Sequence, residues 1–139
     1  MTFATANFAN AAAAARFIAS APGRNDPTEA VDAARMVLVD TLGVARGAAD
    51  EDAGRIVRKV ALAWNSSGGA QILLGGRSAP AIAALINATH GHCLDYDDTH
   101  VGAVAHLGNP TWAAALAMGQ HSGACDRDIL NAFITGFEI

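Results

Sequence analysis

Apolar residues recur every three or four positions through most of the chain, and alternating runs of β-branched residues are nearly absent. The clearest series consists of Val31, Ala34, Val37, Leu38, Leu42 and Ala45. Alanine is abundant and proline is rare, which adds to the helical tendency. We therefore predict an all-α fold, a multi-helix bundle with at most one short strand or extended link near residues 71–74.

Turn residues divide this pattern into six predicted helices. They cover roughly residues 4–19, 27–45, 51–64, 78–93 and 109–121, with a last helix from 126 or 128 onward. Three of these helices are expected to begin at a capping residue close to a proline, namely Asp26 before Pro27, Ser78 before Pro80 and Asn109 before Pro110. Gly43 lies inside the second helix, where glycine is unfavourable, so we expect it to mark close packing against a neighbour.

Length and charge limit the range of functions. The 139 residues suit a single helical domain, residues 1–139. The hydrophobic fraction of 52% is slightly high for a soluble domain, so we expect a second copy or further chain to cover the extra apolar surface. The net charge is −4, and residues 78–125 contain no Lys or Arg. We expect no nucleic-acid partner, because neutralising phosphates supplies most of that affinity.

Cysteine use and the termini indicate a cytoplasmic protein. Cys93 and Cys125 are isolated thiols without a CxxC motif, which favours a reducing compartment. No basic residue precedes Arg16, so the N-terminus lacks the first part of a signal peptide. Residues 99–125 are uncharged and long enough to span a bilayer, but they include three histidines and a proline. We therefore expect no membrane partner.

Residues 90–100, HGHCLDYDDTH, concentrate histidines and carboxylates. These side chains suit zinc, iron or manganese, but their spacing matches no HExxH motif and no Cys/His pairing. His90 and His92 are two positions apart, so on a helix they point about 200° apart. We therefore predict no metal site.

Two other chemistries remain open for the same stretch. Residues 95–99 read DxDxT, a phosphoryl-transfer pattern, but a helix end rather than a buried strand precedes them. Clustered carboxylates near His106 suit general acid–base chemistry, and a helix starting near Pro110 would offer N–H groups to an anion. The alternative without a catalytic role is a solvated loop with local side-chain-to-backbone hydrogen bonds.

Longer motifs give a family resemblance. Residues 87–100, NATHGHCLDYDDTH, are similar to the NGTxAHALDFDDTH signature of the MmgE/PrpD family. Residues 35–47 resemble the family's early helix with its DTLG core, and residues 71–77 resemble its TVLGGGR-like link. Residues 113–139 resemble the PAALALAE-to-GYEV region, and all four segments occur in family order.

The resemblance implies an activity and an architecture. Family members include 2-methylcitrate dehydratase, cis-aconitate decarboxylase and iminodisuccinate epimerase, which move protons beside a carboxylate of a small di- or tricarboxylate. They generally use no metal or organic cofactor, so we expect no cofactor here. The family fold is a large helical domain with a smaller α/β lid, usually in a homodimer, and the site lies between the two domains.

Residue by residue, the resemblance implies catalytic roles for Asp95 and His106 and substrate contact for Thr99. The residues expected to support them are His92, Asp97, Asp98 and His100. The family's histidine normally precedes a proline, whereas His106 precedes Leu107 and the proline stands at position 110. This departure leaves the direction of His106 open.

The resemblance covers only the N-terminal part of the family. The lid and the lysine and tyrosine expected to complete the active site have no counterpart, and the last predicted helix ends uncapped. We therefore predict the N-terminal segment of a cofactor-independent lyase or isomerase, inactive without the rest of the fold. Its partner would be a second copy or a complementing subunit. A fragment, a split-gene subunit and a non-catalytic oligomerisation module or remnant all remain open.

Overall fold

The computed structural model describes residues 10–64 and 67–139. Within those residues it has six helices: α1 (Ala11–Ala19), α2 (Thr28–Gly47), α3 (Asp52–Ala63), α4 (Pro80–His92), α5 (Gly108–Ser122) and α6 (Asp126–Glu138). Two short strands, β1 (Ala70–Gln71) and β2 (Arg77–Ser78), complete it. The all-α prediction is confirmed. Residues 4–9 of the first predicted helix and residues 65–66 of the break after the third lie outside the described residues.

The three predicted N-terminal caps are wrong, since each side chain does something else. Asp26 accepts a hydrogen bond from Nε of Arg24 at 2.5 Å, and Pro27 becomes the residue before α2. Ser78 belongs to β2, so Ala79 precedes α4. Asn109 lies inside the first turn of α5, where its amide donates to the carbonyl of Ala88 at 2.9 Å and so ties α5 to α4.

The extended link predicted near residues 71–74 is a small antiparallel hairpin, in which Ala70 pairs with Ser78 and Gln71 with Arg77. Gly75 and Gly76 form its turn with φ of +106° and +98°, values that glycine adopts without steric strain. Asn87 of α4 holds the hairpin: its amide donates to the carbonyl of Gln71 at 3.0 Å and accepts from the N–H of Leu73 at 2.9 Å. The second strand was not predicted, because two residues are too few for an alternating pattern.

The helices enclose two apolar clusters with α5 contributing to both. One joins α3, α4, α5 and the hairpin, and consists of Ala61, Ala70, Ile72, Ala83, Ile86 and Ala117. The other joins α2, α5 and α6 around Trp112, which stacks on Phe133 with ring centroids 4.2 Å apart. The indole N–H donates to the carbonyl of Ala34 at 3.1 Å, so this buried polar atom is satisfied.

Two glycines show where helices touch and where they do not. A Cβ at Gly91 of α4 would collide with the side chain of Asn109, so α4 and α5 approach closely at that point. A Cβ at Gly43 would meet nothing within 4 Å, so the expectation of close packing there is wrong. The tight α4–α5 contact fixes both ends of the segment that joins these helices, residues 93–107. None of the helices in the described residues is long and apolar enough to cross a membrane.

Candidate functional site

The segment between α4 and α5 folds back on itself. Asp95 begins the reversal with a left-handed φ of +54°, and its N–H donates to the carbonyl of His92 at 2.7 Å. Further along, the N–H of His100 donates to the carbonyl of Ala105 at 2.8 Å and closes a second turn. This path returns His106 to the end of α4, close to the carboxylates that precede it.

Asp97 lies at the centre of the fold-back, and its side chain is 0% exposed. Its two carboxylate oxygens lie 3.0 and 3.2 Å from Nδ1 of His92. Oδ1 also lies 3.2 Å from Nδ1 of His106, a close electrostatic contact without hydrogen-bond geometry. The two imidazole rings meet edge to face with centroids 4.8 Å apart. One buried carboxylate therefore positions both rings.

Asp95 lies on the outer side of this cluster. Its side chain is 81% exposed, and its Oδ1 lies 3.4 Å from Nε2 of His106. His106 thus has a carboxylate near each ring nitrogen, one buried and one exposed. Aspartate adopts this left-handed conformation more readily than most other residues besides glycine, so the chain can reverse at this position. The geometry brings together the two residues to which the resemblance gave catalytic roles.

Asp98 occupies the N-terminus of α5. The N–H of Gly108 donates to its Oδ2 at 3.1 Å. Burial raises the pKa of this carboxyl, the N–H groups of Gly108 and Asn109 partly oppose that rise, and the charges of Asp97 and Asp40 add to it. The sequence suggested that these N–H groups would be free to hold an anion. They are not, because Asp98 already fills that place.

A cavity of about 520 Å³ opens beside the cluster, between α3, α4 and the start of α5. Its lining residues are Ala53, Ala88, Thr89, His92, Cys93, Asp97, His106, Asn109 and Pro110. A second cavity of about 580 Å³ near Trp112 and Arg24 lies away from this cluster. We place the candidate site at the first, because acid–base groups line it. Thr89 was missed, although its position three residues before His92 puts both on one helix face.

Thr99 and His100 do not belong to the cluster of His92, Asp95, Asp97 and His106. Thr99 is exposed and is not among the cavity-lining residues. His100 accepts a hydrogen bond at its Nδ1 from the N–H of Ala103 at 3.0 Å, so it shapes the second turn. Of the seven residues suggested by the sequence, four form the cluster, Asp98 caps α5, and these two lie in the outer loop.

His90 lies in a different environment from His92. It is 2% exposed, and its Nδ1 lies 2.9 Å from the carbonyl of Ile86. Its ring packs against Gly54 of α3, where a Cβ would lie 2.7 Å from the ring. The absence of a side chain at Gly54 therefore makes room for His90. As the spacing predicted, His90 and His92 point away from each other, one into the core and one toward the cavity.

Four side chains of the cluster have donor atoms suited to a metal ion. One such atom from each of His92, Asp95, Asp97 and His106 lies within 4.8 Å of those of the other three. The spacing argument against a metal considered only histidines close in sequence. His92 and His106 meet in space but are separated by residues 93–105, which are not helical, so helical spacing could not relate them.

Comparison with known proteins gives one match. The family model of the MmgE/PrpD N-terminal domain matches residues 12–139, nearly the whole chain. No curated protein and no solved structure gave a significant match. The DYDDT stretch, the fold-back that carries it and the helices around it all lie within the matched region. The chain therefore belongs to the MmgE/PrpD family, through that family's N-terminal domain.

Proposed function

We propose that this chain supplies the proton-transfer residues of the active site of a lyase or isomerase that acts on a small di- or tricarboxylate without a cofactor. The observation that carries the proposal is the contact between Asp95 and His106, whose Oδ1 and Nε2 lie 3.4 Å apart, with His106 lining an open cavity. Family membership supports it, since the resemblance implies dehydratases, decarboxylases and epimerases of polycarboxylates.

In the proposed reaction, Asp95 or His106 removes a proton from a carbon beside a substrate carboxylate, or delivers one to it. Asp95 is exposed and therefore accessible to substrate, whereas His106 is held from behind by the buried Asp97. Because the facing atoms of Asp95 and His106 are close, a proton can pass between them with little movement. Asp97 then acts as the positioning residue for both imidazoles.

Recognition of a polycarboxylate needs positive charge or free hydrogen-bond donors. The described cavity lining contains neither Lys nor Arg, and the Thr89 hydroxyl and the Asn109 amide already donate to the carbonyls of Leu85 and Ala88. The N-terminus of α5 is already filled by Asp98. We therefore propose that groups from elsewhere in the functional assembly hold the substrate carboxylates. It follows that the chain by itself does not catalyse the reaction.

Proton NMR in D₂O tests this directly. The chain, alone and together with any partner encoded beside its gene, is incubated with methylcitrate, cis-aconitate and iminodisuccinate. We expect the complete assembly to consume one of these or to exchange its proton beside the carboxylate for deuterium. Asp95→Asn should nearly abolish both signals while far-UV circular dichroism retains the helical content.

The matched control is Asp50→Asn, an exposed aspartate away from the cavity, which should leave the rate unchanged. Full activity of Asp95→Asn would remove the role given to Asp95. Rapid turnover by the chain alone would overturn the requirement for groups from elsewhere. An assembly that neither consumes nor exchanges any of the three compounds would contradict the substrate class.

A second candidate function is a non-catalytic association module, favoured by apolar side chains on α2 and α3 that nothing in the described residues covers. Val39 is 70% exposed and Ile56 59% exposed. If association is the only function, Val39→Asp should convert an oligomer to a monomer, as measured by light scattering. No assembly that contains the chain should then show catalytic activity that depends on it. Activity lost with Asp95→Asn in an intact oligomer would exclude this reading.

A further inference from the structure

The Asp97–His92 pair fixes one ring nitrogen and leaves the other available. Nδ1 of His92 faces the Asp97 carboxylate, so the proton of the neutral ring lies on Nδ1 and the lone pair lies on Nε2. Nδ1 of His106 faces the same carboxylate. Histidines that bind metals almost always have their second nitrogen on a carboxylate or carbonyl in this way. His92 therefore has the arrangement that metal-binding histidines usually have, whereas Nδ1 of His106 lies beside Asp97 without a hydrogen bond.

The Asp95–His106 distance points to the same use. At 3.4 Å, Oδ1 of Asp95 and Nε2 of His106 are farther apart than in a good hydrogen bond. Zinc lies about 2.0–2.2 Å from nitrogen and oxygen donors in a tetrahedral site, which separates two donors by about 3.4 Å. These two atoms thus already have the spacing of two ligands of one ion.

We propose that His92, Asp95 and His106 bind one divalent ion of the zinc class, with Asp97 orienting the histidines from behind. Three protein donors leave a fourth tetrahedral position open, and two of the three, His92 and His106, line the cavity of about 520 Å³. The carboxylates of Asp95 and Asp97 together balance the charge of the ion. Imidazole donors select zinc, copper or nickel over magnesium and calcium, which prefer oxygen.

The ion would occupy the atoms that the proposed reaction uses. A metal on Asp95 and on Nε2 of His106 prevents either from exchanging a proton with substrate, so the ion acts as a reversible inhibitor. This consequence rests on the proposed function, whereas the binding of the ion does not.

Calorimetric titration of the chelator-treated chain with ZnCl₂ at neutral pH tests the site. We expect one ion per chain, with MgCl₂ giving no heat. Asp95→Asn and His106→Asn should each weaken binding more than about 10-fold, and Asp97→Asn about 10- to 100-fold, as expected for a residue behind the ligands. The matched control is His121→Asn, an exposed histidine on α5, which should bind zinc unchanged.

Two further variants separate this site from adventitious binding. Cys93 lines the cavity and Cys125 is exposed, so Cys93→Ser and Cys125→Ser test whether thiols hold the ion instead. Zinc affinity lost in either serine variant, or kept in the Asp95→Asn/His106→Asn double variant, would overturn the proposal. Cobalt(II) gives a check that does not depend on affinity, because the visible spectrum of the bound ion reports its geometry, and we expect a tetrahedral spectrum in the unaltered chain.

The experiments distinguish a failure of the proposed zinc site from a failure of the proposed catalytic function. A chain that binds zinc at these residues, within an assembly that shows no proton exchange, would refute the proposed function and keep the metal site. An active assembly that binds no zinc would refute the metal site and keep the function. In an active assembly, we expect turnover to fall as zinc occupies the site and to return when a chelator removes it.

Discussion

His92 and Asp97 form a link across the C-terminal end of α4: Nδ1 of the histidine lies 3.0 Å from a carboxylate oxygen whose side chain is fully buried. The imidazole itself is about half exposed, with a relative side-chain area of 52%. The buried carboxylate of Asp97 therefore holds an imidazole ring that faces the cavity. His92, Asp97 and His106 therefore form a group whose contribution to the free energy of unfolding can be measured without any substrate.

Asp97→Asn should destabilise the protein by about 1–3 kcal/mol, because the amide cannot accept charge-assisted hydrogen bonds and adds a donor that needs a partner. Urea denaturation measures the free energy of unfolding. Asp50→Asn is the control, since that aspartate is exposed, and should change stability by less than about 0.5 kcal/mol. Equal effects of the two substitutions would show that the link stabilises nothing.

The raised pKa of Asp98 predicts a pH dependence of stability. A carboxyl whose pKa is higher in the folded state binds a proton more tightly when folded, so its stabilising contribution is present at low pH. That contribution is lost as pH rises from the ordinary value of 3.8 through the raised one. Asp98→Asn cannot titrate, so the stability of the unaltered chain relative to this variant should fall across that window.

Denaturation series from below pH 3.8 to neutral pH, on both proteins, provide the measurement. The asparagine keeps an oxygen that can accept from the N–H of Gly108, so the start of α5 remains capped. Parallel stability curves for the two proteins would show that the pKa of Asp98 is not raised on folding.

Replacing two of the glycines by alanine should change the free energy of unfolding in opposite directions. Gly91→Ala places a Cβ against Asn109 and should destabilise the protein by about 1–3 kcal/mol through overpacking. Gly43→Ala, in the open part of α2, should stabilise it by about 1 kcal/mol, the difference in helix propensity. Thermal unfolding of both variants beside the unaltered chain measures the two changes. Destabilisation by Gly43→Ala would indicate a contact partner beyond the described residues.

Glycine substitutions in the loop between α4 and α5 can separate effects on stability from effects on function. Asp95 and Val104 have φ of +54° and +50°, a conformation that costs most residues other than glycine about 1–2 kcal/mol and aspartate less, because its short polar side chain can hydrogen-bond locally. Asp95→Gly and Val104→Gly should therefore both stabilise the fold, by up to about 1 kcal/mol after the entropic disadvantage of glycine. We expect only Asp95→Gly to abolish proton exchange in the complete assembly. A loss of stability in both variants would show that the turn is not strained.

The sequence predicts the helices well and the cluster in part. Helical spacing and turn residues gave six helices, because their apolar faces are encoded locally. Two of the three wrong caps have a common cause, since Asp26 and Asn109 bond to Arg24 and to the carbonyl of Ala88 in the folded chain. Motif comparison gave Asp95 and His106, but the return of His106 depends on a loop reversal that no periodicity encodes. The burial of His90 depends likewise on Gly54 in another helix.

The carboxylate of Asp98 at the start of α5 has one more consequence. It is a tethered ligand, and tethering gives it an effective concentration of about millimolar or more at the helix end. A free monocarboxylate below that concentration does not displace it. The N–H group of Gly108 is therefore satisfied within the chain and is not offered to a dilute free anion.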